Sequence, residues 1–185
     1  MPSLRGQLLV APPHMTDPHF RATVTLVLQH GTEGAFGLVL NRTTDKPFAD
    51  LWHRVRGTVT SRKDRVRAGG PVDGGLLVLH GDDGVGDVEV LAGVFVCTRA
   101  DGLQDLLDAS MAPMRFFAGY AGWGRGQLEA ELQTGSWLTT AARAEHVFPE
   151  DEDDMRLWQA AFQEVTAARM QPPGFESEGA DPTAN

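Results

Sequence analysis

Met114-Arg-Phe-Phe-Ala-Gly-Tyr-Ala-Gly-Trp-Gly-Arg-Gly-Gln-Leu-Glu-Ala-Glu-Leu-Gln-Thr-Gly-Ser-Trp-Leu138 is the stretch that decides the fold of this 185-residue chain. It reads as a buried strand from Arg115 to Tyr120, a glycine-dense corner, a short helix from about Gln127, and a second strand opening at Trp137. Gly119, Gly122, Gly124 and Gly126 alternate there with aromatic and cationic residues. Such density asks for backbone conformations or close approaches that a side chain forbids.

Working outward, the flanking segments predict α+β: a single compact domain with a mixed, largely antiparallel sheet and flanking helices. Gln7–Ala11, Thr23–His30 and Ala35–Leu40 read as strands, the last two joined by the hairpin-sized Gly31–Gly34. Asn41–Pro47 reads as loop. Phe48, Leu51, Trp52 and Val55 mark one face of a two-turn helix. Gly69-Gly-Pro-Val72 is a sharp turn, and strands follow at Gly75–His80, Val88–Leu91 and Val94–Thr98. Leu103, Leu106, Leu107 and Met111 form a predicted buried helical stripe, which Pro113 ends. Trp158, Ala161, Phe162 and Val165 give the 3–4 spacing of a docked helix over 155–168. The domain is expected over 1–170, with 171–185 a disordered acidic tail.

Composition bounds the function. With 42% hydrophobic and 22% charged residues the chain is of globular type. No run nears the ~20 apolar residues of a membrane span, so no membrane role is expected. The start lacks a secretory pattern, and the expected location is the cytoplasm. The single cysteine, Cys97, excludes an internal disulfide and reads as a packed strand thiol. Residues 1–149 hold 14 Lys/Arg against 16 Asp/Glu, whereas 150–185 hold 2 against 9. That balance argues against nucleic acid as a partner. The cationic block Arg54–Arg67 reads as a solvated basic loop.

Candidate chemistry centres on the Gly119–Gly126 corner. Gly119, Tyr120, Gly122, Trp123, Gly124, Arg125 and Gln127 could present N–H groups and a charge to an anion or small molecule. The other reading is a tight corner over which Tyr120 and Trp123 pack. No Walker or dinucleotide motif is present. Glu129 and Glu131 are two apart, so on a helix they point ~200° from each other and form no acid–base pair. Glu129 lies one turn from Arg125, and an ion pair between them is expected. His30 and His80 each end an apolar strand, and with Asp17 they could make a metal site or a base-and-orienter pair; bonding to loop carbonyls is the alternative. His14, His19, His53 and His146 read as surface or loop residues. No nucleophile elbow surrounds Ser136. Neither a cofactor nor a metal is predicted.

The ordered set Gly6-Gln-Leu-Leu-Val-Ala11, Met15-x-Asp17-Pro18-x-Phe20, His30, Gly34-Ala-x-Gly-Leu38, Asn41, Gly69-Gly-Pro-Val72, Leu79-His80, Gly119-Tyr-Ala-Gly-Trp-Gly124, Gly126-Gln-Leu-Glu-x-Glu131 and Trp137 resembles the AlgH/YqgE family of bacterial proteins. The resemblance spans roughly residues 5–165. Asn41-Arg-Thr stands where the family more often has Asn-Lys/Arg-Pro. The resemblance implies a compact mixed α/β fold in the bacterial cytoplasm and supplies no catalytic residues. The family's customary label, transcriptional regulator, fits poorly with a near-neutral body and an acidic end. The expected function is therefore a non-enzymatic regulatory or interaction protein with a protein partner. Anion or small-molecule binding at the glycine corner, with or without catalysis, is the alternative, and direct DNA binding ranks last.

Overall fold

The computed structural model describes residues 2–84, 88–109 and 111–170. The predicted tail, 171–185, lies outside them. In chain order the elements are β1 (Gln7–Val10), β2 (Val24–Gly31), β3 (Gly34–Val39), β4 (Thr43–Pro47), α1 (Phe48–Arg56), β5 (Arg65–Ala68), β6 (Val72–His80), β7 (Val88–Leu91), β8 (Val94–Cys97), α2 (Ala100–Ala109), β9 (Met114–Trp123), α3 (Gln127–Gln133), β10 (Leu138–Ala141), α4 (Ala144–Val147) and α5 (Asp154–Met170).

The strands form one sheet in the order β10-β1-β2-β3-β9-β6-β8-β7, with β4 and β5 attached through β9. Every pairing is antiparallel except β5 with β9. The mixed, largely antiparallel sheet is thus as expected. The sheet curls until its ends approach: the Arg5 guanidinium, just before β1, reaches the Glu89 carbonyl of the far edge strand β7.

β9 is the spine. Its first half pairs with β6 on one side and β5 on the other, and its second half pairs with β3. β3 and β5 therefore meet end to end along it, stitched by Val39 N–H to the Gly69 carbonyl (2.8 Å) and Gly69 N–H to the Ala118 carbonyl (2.9 Å). The expected corner at Gly119 is instead a point where the strand turns over. Gly119 takes φ +74°, which only glycine adopts freely. Before it, Phe117 and Phe116 alternate between the first and second core clusters. After it the alternation is reversed: Tyr120 joins the cluster of Phe117, while Ala121 and Trp123 join a third cluster.

The first cluster fills one face, under α5, with Leu8, Leu26, Leu38, Leu79 and Phe117. The second, on the other face, gathers Phe48 and Trp52 of α1, Leu103 and Leu106 of α2, Cys97 and Phe116. Full burial of each such side chain contributes roughly 1.5–3 kcal/mol. The third cluster continues that face around Trp123 and Trp137.

Several local expectations are corrected. Residues 43–47 form a strand, because β5 offers them a partner across an irregular register. Met111 is 99% exposed, since α2 has ended before it. A short helix, α4, occupies part of residues 141–148, which read from the sequence as a plain connection. The stretch Arg54–Arg67 is no free basic loop: Arg62 pairs with Asp64, Arg65 with Asp45, and Arg67 is buried. His146 is buried as well, hydrogen-bonded to Glu164 and to the Arg143 backbone. Cys97 is a buried strand thiol, as expected.

Candidate functional site

At the far end of β9, Trp123 and Trp137 are held by one side chain. Glu131, on α3, accepts the indole N–H of Trp123 (2.9 Å) and of Trp137 (2.8 Å) through the same oxygen, Oε2. Its other oxygen accepts from the Gln127 amide (2.9 Å), whose own oxygen accepts the Gly124 N–H (3.0 Å). A carboxylate that receives three hydrogen bonds is fixed in place. Phe20 completes an aromatic group, stacked on Trp123 at 6.3 Å and edge-on to Trp137 at 5.2 Å.

Above this group lies a hollow of about 420 Å³, walled by Met15, Asp17, Phe20, Pro71, Gly122, Trp123, Gln127, Glu131, Ser136 and Trp137. Four separate segments build it: the loop 12–20, the Gly69–Val72 turn, the β9–α3 corner and the α3–β10 connection that carries Ser136 and Trp137. A smaller hollow of about 210 Å³ adjoins it through Met15 and Ser136. Asp17 holds the first loop by accepting His19 N–H at Oδ1 (2.8 Å), while its carbonyl accepts from Phe20 and Arg21.

The candidate residues divide between this hollow and other places. Asp17, Gly122, Trp123 and Gln127 line it. Gly119 and Tyr120 do not: Tyr120 packs on Phe36 at 4.8 Å on the opposite face of β9. Arg125 is 73% exposed and pairs with Glu33 (2.6 Å), not with Glu129 as expected. The α3 start has turned Glu129 away from it, toward His30 (3.2 Å). His30 Nδ1 accepts the Leu4 N–H, so Nε2 carries the proton and donates it to Glu129. His80 lies at the other end of β9, opposite Met114, where it stacks on Phe95 and accepts the Asp82 N–H. The two histidines and Asp17 therefore never converge. Gly124 gives its N–H to Gln127, and a carboxylate-rich hollow with a neutralised Arg125 offers little to an anion.

Sequence reasoning left Glu131, Trp137, Phe20, Pro71 and Ser136 out of the candidate set. Their spacing carries no short-range motif; membership of the ordered blocks linked Glu131, Trp137, Phe20 and Pro71, and nothing linked Ser136 to them. Ser136 Oγ bonds to the Thr134 hydroxyl, 3.0 Å away. Among the described residues no group of three or more His, Cys, Asp or Glu gathers to hold a metal ion, and no helix is long and apolar enough to cross a membrane.

The fold and site define an α+β domain with a curled, mostly antiparallel sheet whose loops enclose an aromatic hollow at one end. Residues 8–169 match the family model described as AlgH-like, and the chain belongs to that family. It is 39% identical over 162 residues to a UPF0301 protein of Myxococcus xanthus, covering 85% of this chain and 88% of that one. It is 38% identical over 157 residues to one of Cereibacter sphaeroides, covering 80% and 85%. The solution structure of AlgH from Pseudomonas aeruginosa superposes with a TM-score of 0.72 at 30% identity, covering 94% of this chain and 96% of that one. A Corynebacterium diphtheriae protein, at 23% identity and the same TM-score, shares the fold.

Proposed function

We propose that this protein is a non-catalytic interaction module whose hollow receives a cationic side chain, arginine or lysine, from a partner protein. One observation carries the reading: two tryptophans are locked by Glu131 beneath an opening that Asp17 borders. Aromatic faces beside carboxylates attract a cation that has left bulk water. The rigid floor lowers the ordering cost of binding, since Trp123 and Trp137 are already fixed. Ser136 bonds to Thr134 and His30 to Glu129, so these two do not form a nucleophile–base pair with each other.

The DNA-binding label draws less support. The cationic stretch is partly neutralised by Asp64, Asp45 and Glu152, and the whole chain carries −9. A salt-dependent mobility shift with random duplex would restore that reading. Cytoplasmic residence belongs to the proposal too and draws support from the cysteine count, since one cysteine allows no disulfide within this chain.

The test is titration with blocked arginine amide and blocked lysine amide, followed by tryptophan emission. Saturable quenching is expected, and it is expected to be lost in Asp17→Asn. No response at millimolar ligand, or the same response in Asp17→Asn, would remove the cationic side chain from the account.

A further inference from the structure

Two arginines lie together on the opposite face of the sheet. Arg67 stands across from Phe117 in the parallel β5–β9 pairing, and Arg115 precedes Phe117 by two residues, so all three side chains share the face under α5. The side chains of Arg67 and Arg115 are 4% and 5% exposed. Both reach one atom, Glu152 Oε1, at 3.3 Å from Arg67 Nη2 and 3.2 Å from Arg115 Nη2. Glu152 comes from the exposed residues just before α5, and its own side chain is 69% exposed.

The match is poor for a buried pair of cations. One carboxylate oxygen serves two guanidinium groups, with no two-pronged fork to either. Arg67 Nε is buried and has no hydrogen-bond partner. Burial, and then the neighbouring Arg67 charge, lower the Arg115 pKa to about 10. Asp154, the next carboxylate, is taken up by the N–H and hydroxyl of Thr43 (2.7 and 3.0 Å).

We propose that Arg67 and Arg115 form a binding site for a phosphate group, which Glu152 fills from within the chain until an external phosphate displaces it. A tetrahedral oxyanion brings several oxygens. It can take Arg67 through Nε and Nη2 as a fork while another oxygen meets Arg115, which a single tethered carboxylate oxygen does not do. Glu152 is free to leave because its segment is exposed and its ion pairs run to these two arginines. This site is separate from the aromatic hollow, and neither proposal depends on the other.

The competing account is a structural clasp that ties the start of α5 to the sheet. To separate them, full-length wild type and Glu152→Gln are melted in inorganic phosphate and in sodium chloride at matched ionic strength. Glu152→Gln should melt lower in chloride, and phosphate should restore it with saturation. Wild type should need roughly 10-fold more phosphate for a comparable shift, since its internal anion competes. Arg115→Met should lose the phosphate response. Indistinguishable responses to phosphate and chloride in Glu152→Gln mean an adventitious ion only and overturn the proposal, as does a response retained in Arg115→Met. Should Glu152→Gln fail to fold, amide exchange in wild type decides: phosphate should release residues 150–153 saturably, and no release overturns the site. AMP and phosphoserine are run beside inorganic phosphate; the tightest of the three tells whether the group arrives free or on a nucleotide or a protein-like carrier.

Discussion

Gly70 lies flat against the backbone of Tyr120: a Cβ on Gly70 would stand 2.1 Å from the Tyr120 carbonyl carbon and 2.2 Å from its oxygen. The contact presses the Gly69–Val72 turn onto the middle of β9 and places Pro71 in the wall of the hollow. Gly70→Ala would meet fixed backbone at a φ of +156°, and nothing flexible can move aside. A loss of roughly 3 kcal/mol or more in chemical denaturation is expected. Gly75→Ala, five residues on in open space, is the control and should stay within ~0.5 kcal/mol. Equal effects of the two would show that the turn does not depend on that contact.

Glu131 is the next weak point. Trp123 and Trp137 are 6% and 2% exposed, so Glu131→Ala leaves two buried indole N–H groups without acceptors. Stability should fall by roughly 2–4 kcal/mol, with a shift in tryptophan emission. Glu131→Gln keeps one acceptor oxygen and should lose about half as much. A wild-type melting curve for Glu131→Ala would mean that water replaces the carboxylate without cost.

Local pattern made the sheet legible: β2, β3, β6 and β8 carry β-branched or apolar runs whose burial follows from their composition. β4, Thr-Thr-Asp-Lys-Pro, was not legible, because its strand state comes from pairing with β5 and not from its own residues. The glycine block stands out in the sequence, but its corner is misplaced in detail. Gly119 and Gly122 lie inside a continuing strand, where one residue of positive φ reverses the faces, and alternation alone cannot show such a reversal. The hollow depends on Phe20, Trp123 and Trp137 meeting across more than a hundred residues, which no local spacing reports. Arg67 ended a stretch that read as a solvated basic loop; its pairing with Glu152 at 3.3 Å is likewise a product of the fold.

Arg125 and Glu33 form a short ion pair, 2.6 Å, but the two side chains are 73% and 83% exposed. Water screens such a pair, and holding two long side chains together costs entropy. Arg125→Ala should therefore change stability by no more than ~0.5 kcal/mol and leave any phosphate response unaltered. A substantial loss in either measurement would return Arg125 to the site from which the structure removes it.

Acid should weaken the junction where α5 meets β10 and α4. Glu164 accepts Arg143 in a two-pronged pair, Nη1 to Oε1 and Nη2 to Oε2, both at 2.9 Å, and Oε2 also meets His146 Nε2 at 3.2 Å. The hydrogen bond from Arg143 holds the carboxyl below its ordinary value of 4.5, with the His146 charge and hydrogen bond adding to it against the cost of burial. A carboxyl lowered in the folded state stabilises fully above its unfolded pKa. That contribution begins to fade as pH drops below 4.5 and is gone once pH passes the folded pKa. Melting wild type from neutral pH to about pH 3 should show this decline, and Glu164→Gln should start lower and decline less steeply. Parallel curves for the two chains would assign the acid sensitivity to other carboxylates. Arg143→Lys discriminates further: a lysine cannot reproduce the fork, so the acid decline should shift upward in pH while His146 keeps its place against α5.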